Sequence, residues 1–384
     1  MSEYSKKQQL LELIRSNPFI AQQDLANQLG LSRSAVAGHI AGLIRERKLL
    51  GRAYVLPDRR PVVCIGAANL DRKLRSHAPL AMGTSNPATQ TESFGGVARN
   101  ITENLARLGS PVALLTAIGG DSSGAALLAH AETVGIDTRG ALRLDDVSSG
   151  TYTALLDQDG EMVVALADMA LYDRIDPAFV AARQAQVATA ALLVADLNLP
   201  AQTIEALVGQ ARRAEVPLVL VAVSEPKMAR LPRDLAGVRL LILNAGELAA
   251  RVGRPLDGDA ALEAAMREVQ AQGVRDVVVT RGADGVLVTV GGAAGGTTGG
   301  TIARLPAPPA DVVDVTGAGD AFAAGVCWSL VQADGHGEGD LVLACRRGLQ
   351  LSALTLATAE TVHPDLHPES LAGAPTHMPF NEQD

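Results

Sequence analysis

The sequence predicts an α/β protein: a mostly parallel β-sheet with helices on both faces, carrying a small helical head at its N-terminus. Three observations predict this. From residue 62 onward, apolar strand-like runs alternate with segments of helical period. Two glycine-rich strings each close a strand and open a helix. The first sixty residues have a pattern and a charge of their own.

A chain of 384 residues exceeds the need of one typical domain and suggests a large body plus something small. Apolar content of 47% supports a sizeable core, and with aromatics at 3% that core is built from Ala, Val and Leu. No uninterrupted apolar run reaches membrane-spanning length, and the polar start MSEYSKKQQ does not read as a signal peptide, so no membrane partner is expected. Cys64, Cys327 and Cys345 stand apart without metal or redox spacing, which fits the cytoplasm. The His residues are scattered too, so no transition-metal site is predicted. Residues 1–60 hold ten Lys/Arg and five Asp/Glu, a net +5, whereas the rest of the chain carries −14 of the overall −9. A basic head on an acidic body points to nucleic acid at the head alone, or to a merely solvated basic face.

In the head, Lys6–Asn17 carries Leu10, Leu11, Leu13 and Ile14 at helical spacing and stops at Pro18. Gln22–Leu29 is a short second helix closed by Gly30. Ser32 caps a third, whose buried stripe is Val36, Ile40, Leu43 and Ile44. Gly51–Leu56 alternates like a strand. This arrangement resembles a bacterial winged helix-turn-helix over about residues 5–56. The resemblance implies duplex DNA as partner, with Arg33, Ser34 and His39 of the third helix facing base edges and Arg52 of the wing on a phosphate. A small module for dimerisation or docking is the other reading.

The body starts at Val62–Ile65 after a charged linker, Pro57–Pro61. Strands are expected at Val112–Ala117, Ala191–Ala195, Leu218–Val223, Leu240–Leu243 and Asp276–Thr280. Helices are expected at Val97–Leu108, Gly124–Val134, Gln202–Ala214 and Ala260–Gln272. Thr151–Asp157 and Glu161–Leu166 read as a hairpin turning at Asp157–Gly160, which together with residues 73–93 forms a small lid. The glycine run 291–301 reads as a surface excursion, and the tail after Pro364 as weakly ordered.

The most informative string is Asp314-Val-Thr-Gly-Ala-Gly-Asp-Ala-Phe322, which opens a long apolar helix. Gly317 and Gly319 allow positive φ and close backbone approach, so successive N–H groups can converge on an anion at the helix start. Asp320 then stands at the mouth of that site, placed to take the proton from an attacking hydroxyl. The plainer reading is a glycine turn with an ordinary first-turn carboxylate. Phe94-Gly-Gly-Val-Ala-Arg-Asn100 opens another helix, with Gly95 and Gly96 admitting a ligand and Asn100 offering a donor and an acceptor. Gly66-Ala-Ala-Asn-Leu-Asp71 follows the first strand, where Asn69 and Asp71 can hold vicinal hydroxyls or simply make a turn.

These strings together resemble the ribokinase-like (PfkB) carbohydrate and nucleoside kinases over roughly residues 62–365. The resemblance implies a three-layer αβα sandwich with a small β lid, and ATP with Mg²⁺ as cofactors. By it, Asp320 is the general base and Gly317, Ala318 and Gly319 form the anion hole. Asn244 and Glu247 of Asn244-Ala-Gly-Glu organise phosphate and, indirectly, Mg²⁺, although a strand end followed by a first-turn Glu is common in itself. Thr280, Gly282 and Gly285 line the ATP site, and Asp314 and Thr316 stand where the family builds a K⁺ site. Within the family, the strings Ala165-Leu-Ala-Asp-Met169 and Val194-Ala-Asp-Leu-Asn198 are similar to those of pseudouridine kinases. That match gives Asn69, Asp71, Gly96 and Asn100 to the ribose and Asp168 and Asn198 to the base. Ala167 and Ala170 stand where that subgroup often has Asn. Val221-Ala-Val-Ser224 replaces its Asp-Pro-Val-Ser, leaving Lys227 to reach an ATP phosphate.

The expected protein is an ATP-dependent kinase acting on the 5′-hydroxyl of a nucleoside, pseudouridine first. A sugar kinase for ribose or fructose and a DNA-binding regulator using the body as a ligand sensor are the alternatives. Expected boundaries are 1–56 for the head, 57–61 for the linker, 62–365 for the kinase domain and 366–384 for the tail, in a homodimer.

Overall fold

A computed structural model describes residues 5–17, 20–50, 60–290, 300–334 and 340–371. The chain divides into two compact units, Met1–Arg60 and Pro61–Asp384. Among the described residues no helix is long and apolar enough to cross a membrane.

The first unit holds α1 (Lys6–Ser16), α2 (Gln22–Leu29) and α3 (Arg33–Arg45). Ser5 and Gln8 form a reciprocal cap at the start of α1. Gly30 takes the left-handed conformation that ends α2, at φ 63°. Ser32 accepts a hydrogen bond from the Ala35 amide and so starts α3. Leu10, Ile14, Leu25, Leu29, Val36, Ile40 and Leu43 close one core. Ile44 does not join it: the residue is 38% exposed, because a fourth apolar position next to Leu43 rotates past the contact face. The expected wing strand, Arg52 included, lies outside the described residues.

The second unit begins with β1 (Val62–Ile65) and runs out into β2 (Asn69–Ser76) and β3 (Ala88–Gly95). It returns through α4 (Val97–Arg107) to β4 (Val112–Leu115). A small parallel pair, β5 (Ala117–Gly119) and β6 (Leu142–Leu144), flanks α5 (Ser122–Thr133). The hairpin β7 (Thr151–Leu156) and β8 (Met162–Asp168) follows, then α6 (Pro177–Ala182), α7 (Gln184–Thr189) and β9 (Leu192–Asp196). The chain continues through α8 (Ala201–Ala214), β10 (Leu218–Val221), β11 (Leu240–Asn244), α9 (Ala245–Val252), α10 (Gly258–Gln270) and β12 (Asp276–Thr280). It ends in β13 (Val286–Val290), β14 (Thr301–Leu305), α11 (Ala318–Asp334) and α12 (Leu341–Leu356).

The main sheet has eight strands in the order β14-β13-β12-β11-β10-β9-β1-β4. Pairing is parallel from β4 to β12 and antiparallel for β13 and β14. Alternate strand residues serve opposite faces. Val63, Ile65, Leu193, Leu220 and Leu241 pack with α8 to α10, whereas Val62, Cys64, Val194, Val219 and Leu240 pack with α4, α5, α11 and α12. Helices therefore cover both faces of the sheet. A second sheet, β3-β2-β7-β8, is the small lid.

Two sequence expectations need correction. Val112–Ala117 is two strands, since Thr116 separates β4 from β5, which pairs elsewhere. The sheet is mostly parallel as expected, with an antiparallel edge at β13 and β14; residues 291–299 of the glycine run between them lie outside the described residues. The tail is anchored as far as residue 371, because Leu366 and Leu371 are buried in the core; residues 372–384 lie outside the described residues.

β1 lies between β9 and β4, so the chain leaves it toward one neighbour and later returns on its other side. The carboxyl ends of β1 and β9 thus form the crevice at which open α/β sheets bind ligands. Tyr172 braces that crevice from below. Fully buried, its hydroxyl donates to the Ala68 carbonyl and accepts from the Ala68 amide at 3.2 Å. Tyr172→Phe leaves both groups unpaired and should lower the unfolding free energy by about 1–3 kcal/mol. The expected readout is a lower urea midpoint at unchanged slope; an unmoved midpoint would show that Ala68 needs no brace.

Candidate active site

The helix α11 begins in a turn that only glycine can make. Gly317 has φ +82°, and a Cβ there would lie 2.1 Å from the Thr361 carbonyl oxygen. Gly319 differs from expectation: its φ is not positive, and nothing lies within 4 Å of where its Cβ would stand. The space above it is open to a ligand. The Ala318 amide donates back to Val315 at 3.3 Å, while no backbone carbonyl among the described residues accepts from the Gly319 or Asp320 amides. Those N–H groups and the helix dipole face the opening.

Asp320 stands in the first turn. Asn100 of α4 donates to its Oδ2 at 2.7 Å, tying the two helices together at the site. Burial pushes the Asp320 carboxyl up to about 7; the Asn100 bond and Arg99 oppose this, and the charges of Asp196 and Asp71 add to it. A carboxylate poised there can accept a proton near neutral pH.

Asn69 and Asp71 begin β2, and the Asn69 amide donates to Asp71 Oδ1. Burial pushes Asp71 up to about 6 against Arg99, Asn69 and Lys73. Gly95 leaves the room that Asp71 fills, since a Cβ would come within 2.1 Å of its carboxylate. At Gly96, with φ +98°, a Cβ would stand 2.5 Å from the Ala67 carbonyl oxygen, too close for any side chain. Asn69, Asp71, Gly95, Gly96, Asn100 and Asp320 therefore converge.

Two residues that sequence reasoning passed over hold this group together. Arg99, 2% exposed, donates to the carbonyls of Gly95 (3.1 Å) and Phe94 (2.7 Å), to Asn100 Oδ1 and to Thr361. It also pairs with Glu103, one helical turn on. Asp196, 1% exposed at the end of β9, accepts from the amides of Ala67 (2.9 Å), Ala98 (3.0 Å) and Asn198 (2.8 Å). Both lie within strings already notable for their neighbours; a charged residue inside an otherwise apolar or glycine-rich string was the available signal.

Asp168 ends β8 and is exposed. It sits opposite Thr151, which in turn sits opposite Leu70, so the register puts Asp168 level with the Asn69–Asp71 segment. Asn198 and Lys227, expected at the base and the ATP phosphates respectively, are bonded to each other, the ammonium donating to Asn198 Oδ1. Burial lowers the Lys227 pKa while Asp196 opposes the shift.

Asn244 ends β11 and caps α9. Its side chain accepts from the Glu247 amide (2.9 Å), and its own amide donates to Glu247 Oε2 (2.7 Å). Burial raises the Glu247 pKa, the Asn244 amide opposes, and Glu225 raises it further. Glu225 was absent from the sequence reading; its carboxylate would meet a Cβ on Gly246 at 2.4 Å. Two carboxylates that feel each other's charge supply the oxygen ligands a hard divalent cation takes. No cluster of three or more His, Cys, Asp or Glu that could hold a metal occurs among the described residues.

Thr280 is the register partner of Asn244. Gly282, at φ +59°, has open space around it, whereas Gly285 is glycine because a Cβ would stand 2.0 Å from the Leu305 carbonyl. Asp314 is fully engaged: Oδ1 accepts from the Thr316 amide (2.8 Å) and hydroxyl (2.6 Å), and Oδ2 from the Lys73 ammonium (2.6 Å). In the head, Arg33 and Ser34 are exposed and His39 half-buried on α3.

Comparison with known proteins gives three sets of findings. The family model for pfkB family carbohydrate kinases matches residues 59–367, and that for winged helix-turn-helix DNA-binding domains matches residues 5–47. A pseudouridine kinase of Escherichia coli is 32% identical over 309 residues, 79% of this chain and 93% of that protein. An uncharacterised sugar kinase of the same organism is 31% identical over 328 residues, 85% of this chain and 88% of its own. The structure of Arabidopsis thaliana ribokinase, solved with ribose and ATP, superposes with a TM-score of 0.69 over 82% of this chain and 98% of that one. Its 21% identity makes this a likeness of fold, and the ribokinase-like architecture expected from the sequence is the one found.

The raised pKa of Asp320 has a measurable sign. The folded state holds a proton that the unfolded chain releases near 3.8, so the associated stability is full below that pH and lost as pH rises through about 7. Asp320→Asn carries no charge and escapes the loss. Its melting-temperature margin over the parent should widen between these two pH values and then level off. A constant margin would mean that Asp320 titrates normally.

Proposed function

The chain belongs to the pfkB family of carbohydrate kinases, is a phosphotransferase acting on an alcohol group, and carries a winged helix-turn-helix head; within that frame we propose that it uses ATP to phosphorylate the 5′-hydroxyl of a nucleoside, pseudouridine in the first place. One observation carries the reading. Asp320, with a pKa of about 7, is bonded to Asn100 beside Asp71 and stands next to the free first-turn amides of α11.

Asp71, Asn69 and the Gly95–Gly96 backbone hold the sugar hydroxyls and point the reacting hydroxyl at Asp320. Asp320 takes its proton as the new O–P bond forms. The amides of Gly319 and Asp320 accept the negative charge that the transferring phosphoryl group carries. Thr280 and Gly282, at the ends of the central strands, line the nucleotide side. Glu247 and Glu225 would hold a Mg²⁺ ion, which neutralises phosphate charge when bound. The lid strands rise from the same residues that bind the sugar, so closure over the substrate excludes water that would otherwise hydrolyse ATP.

The nucleoside reading draws support from the similarity to the pseudouridine kinase over nearly that protein's whole length and from the level of Asp168 beside the sugar residues. A sugar-kinase reading has its own support. Asn198 Oδ1 is already held by Lys227, and the relative named as a sugar kinase spans 85% of this chain.

Incubating the purified chain with ATP and pseudouridine, other nucleosides or free ribose, with ADP release as readout, separates the two. Pseudouridine should be turned over with the highest kcat/KM; preference for a free sugar would replace the nucleoside reading. In Asp320→Asn, kcat should fall by about two orders of magnitude or more with KM changing far less. Near-parental turnover would remove Asp320 as the base.

The head is proposed to bind duplex DNA through α3. The full chain should shift DNA fragments with a steep dependence on salt. Arg33→Ala combined with Arg52→Ala should weaken the shift and leave kinase activity close to parental. Absence of binding by the parent chain at low salt would make the head a docking module.

A further inference from the structure

The pfkB family resemblance implies a monovalent cation beside Asp314, and the residues present do not fit one. Both carboxylate oxygens are taken, Oδ1 by the amide and hydroxyl of Thr316 and Oδ2 by the Lys73 ammonium at 2.6 Å. Burial opposes the charge on Asp314, yet the bonds from Lys73 and Thr316 outweigh it and lower the pKa, so the group is held as an anion. The nearby Leu356 carbonyl is engaged as well, accepting from the Val313 amide at 2.8 Å. A free cation at Asp314 would have to displace the ammonium or share the carboxylate with it against like-charge repulsion.

We propose that the Lys73 ammonium stands permanently where a monovalent cation would otherwise sit, so that this chain works without one. Lys73 belongs to lid strand β2, two residues beyond Asp71, while Asp314 lies three residues before the Gly317 turn. The pair spans 241 positions in sequence and joins the lid to the loop that shapes the anion site. The charge that steadies this loop is therefore built into the lid itself. Lys73 is a positioning residue: it acts through the loop and through β2. The side chains are 35% and 23% exposed, so small ions in solution can reach the carboxylate once the lysine is gone.

The test uses the full chain, Lys73→Met and Lys73→Arg, in KCl and in choline chloride at about 0.1 M, where screening is equal. Melting temperature without substrate is the first readout, independent of the kinase reading. The parent and Lys73→Arg should melt alike in both salts, and Lys73→Met should melt higher in KCl than in choline chloride. The second readout is phosphoryl transfer to the best acceptor. The parent should be indifferent to K⁺, and Lys73→Met should lose roughly tenfold or more in kcat, as displaced positioning groups do, and recover part of it with K⁺ only. A parent that K⁺ stabilises or activates overturns the proposal, and so does a Lys73→Met protein that melts alike in both salts. Should no acceptor be phosphorylated by the parent, the nucleoside reading fails while the melting comparison still decides the role of Lys73.

Discussion

The site depends on keeping three carboxylates, Asp71, Asp196 and Asp320, in one crevice, two of them beside a buried guanidinium. Each is desolvated, and desolvation raises the pKa of each. Unpaired, such a group would be expelled or neutralised. Arg99 opposes the shift at Asp71 and Asp320, and three backbone amides oppose it at Asp196. The compensation is partial, and that is the useful feature. Full pairing would leave Asp320 an ordinary anion and a poor proton acceptor at neutral pH, whereas none would leave it protonated. Arg99 is itself held by the Phe94 and Gly95 carbonyls and by Glu103, so the positive charge that offsets Asp71 and Asp320 is fixed in place.

Glycine is the other half of this arrangement. A Cβ on Gly66 would stand 2.3 Å from the Asp196 carboxylate, and on Gly95 2.1 Å from that of Asp71. The backbone lies close against both carboxylates, and at Asp196 three amides solvate the charge. Gly319 is the exception that marks the ligand side, since nothing fills the space a side chain would take. The glycines of one motif thus separate into those that admit protein and those that leave room for something else.

Much of this was legible in the sequence. Val62–Ile65 and Asp276–Thr280 are β1 and β12 to the residue, because short apolar runs between turn residues leave little choice of boundaries. Strands β13 and β14 were not, since an antiparallel edge on a parallel sheet has no periodic signature of its own. In the site, the glycine strings pointed to the residues that converge. Glu225 and the Lys73–Asp314 pair were hidden for one shared reason. Each acts through a contact set by tertiary packing, a carboxylate brought beside Gly246 and a bond across 241 positions. Local sequence carries no trace of such contacts. Ile44 failed for the converse reason: local pattern offered a wider stripe than the three-helix core has room to bury.

The division between core and lid also accounts for why the reaction is easier to read than the substrate. The groups assigned to phosphoryl transfer sit at strand ends and helix starts of the main sheet, where burial and backbone geometry restrict which residues can occupy a position. Asp320 has its pKa set by burial, and Gly317 is fixed by the Thr361 carbonyl. On the proposed reading, the residues facing the far side of a sugar lie on β8, whose side chains are mostly exposed, Asp168 among them. Exposed positions tolerate substitution with little cost in folding, so Ala167 on β8 and Ala170 in the turn after it can vary without consequence for the core. Family membership is written where physics constrains the residue, and substrate choice where it does not. A similarity of about one third in identity therefore transmits the chemistry of the site more faithfully than the identity of the acceptor.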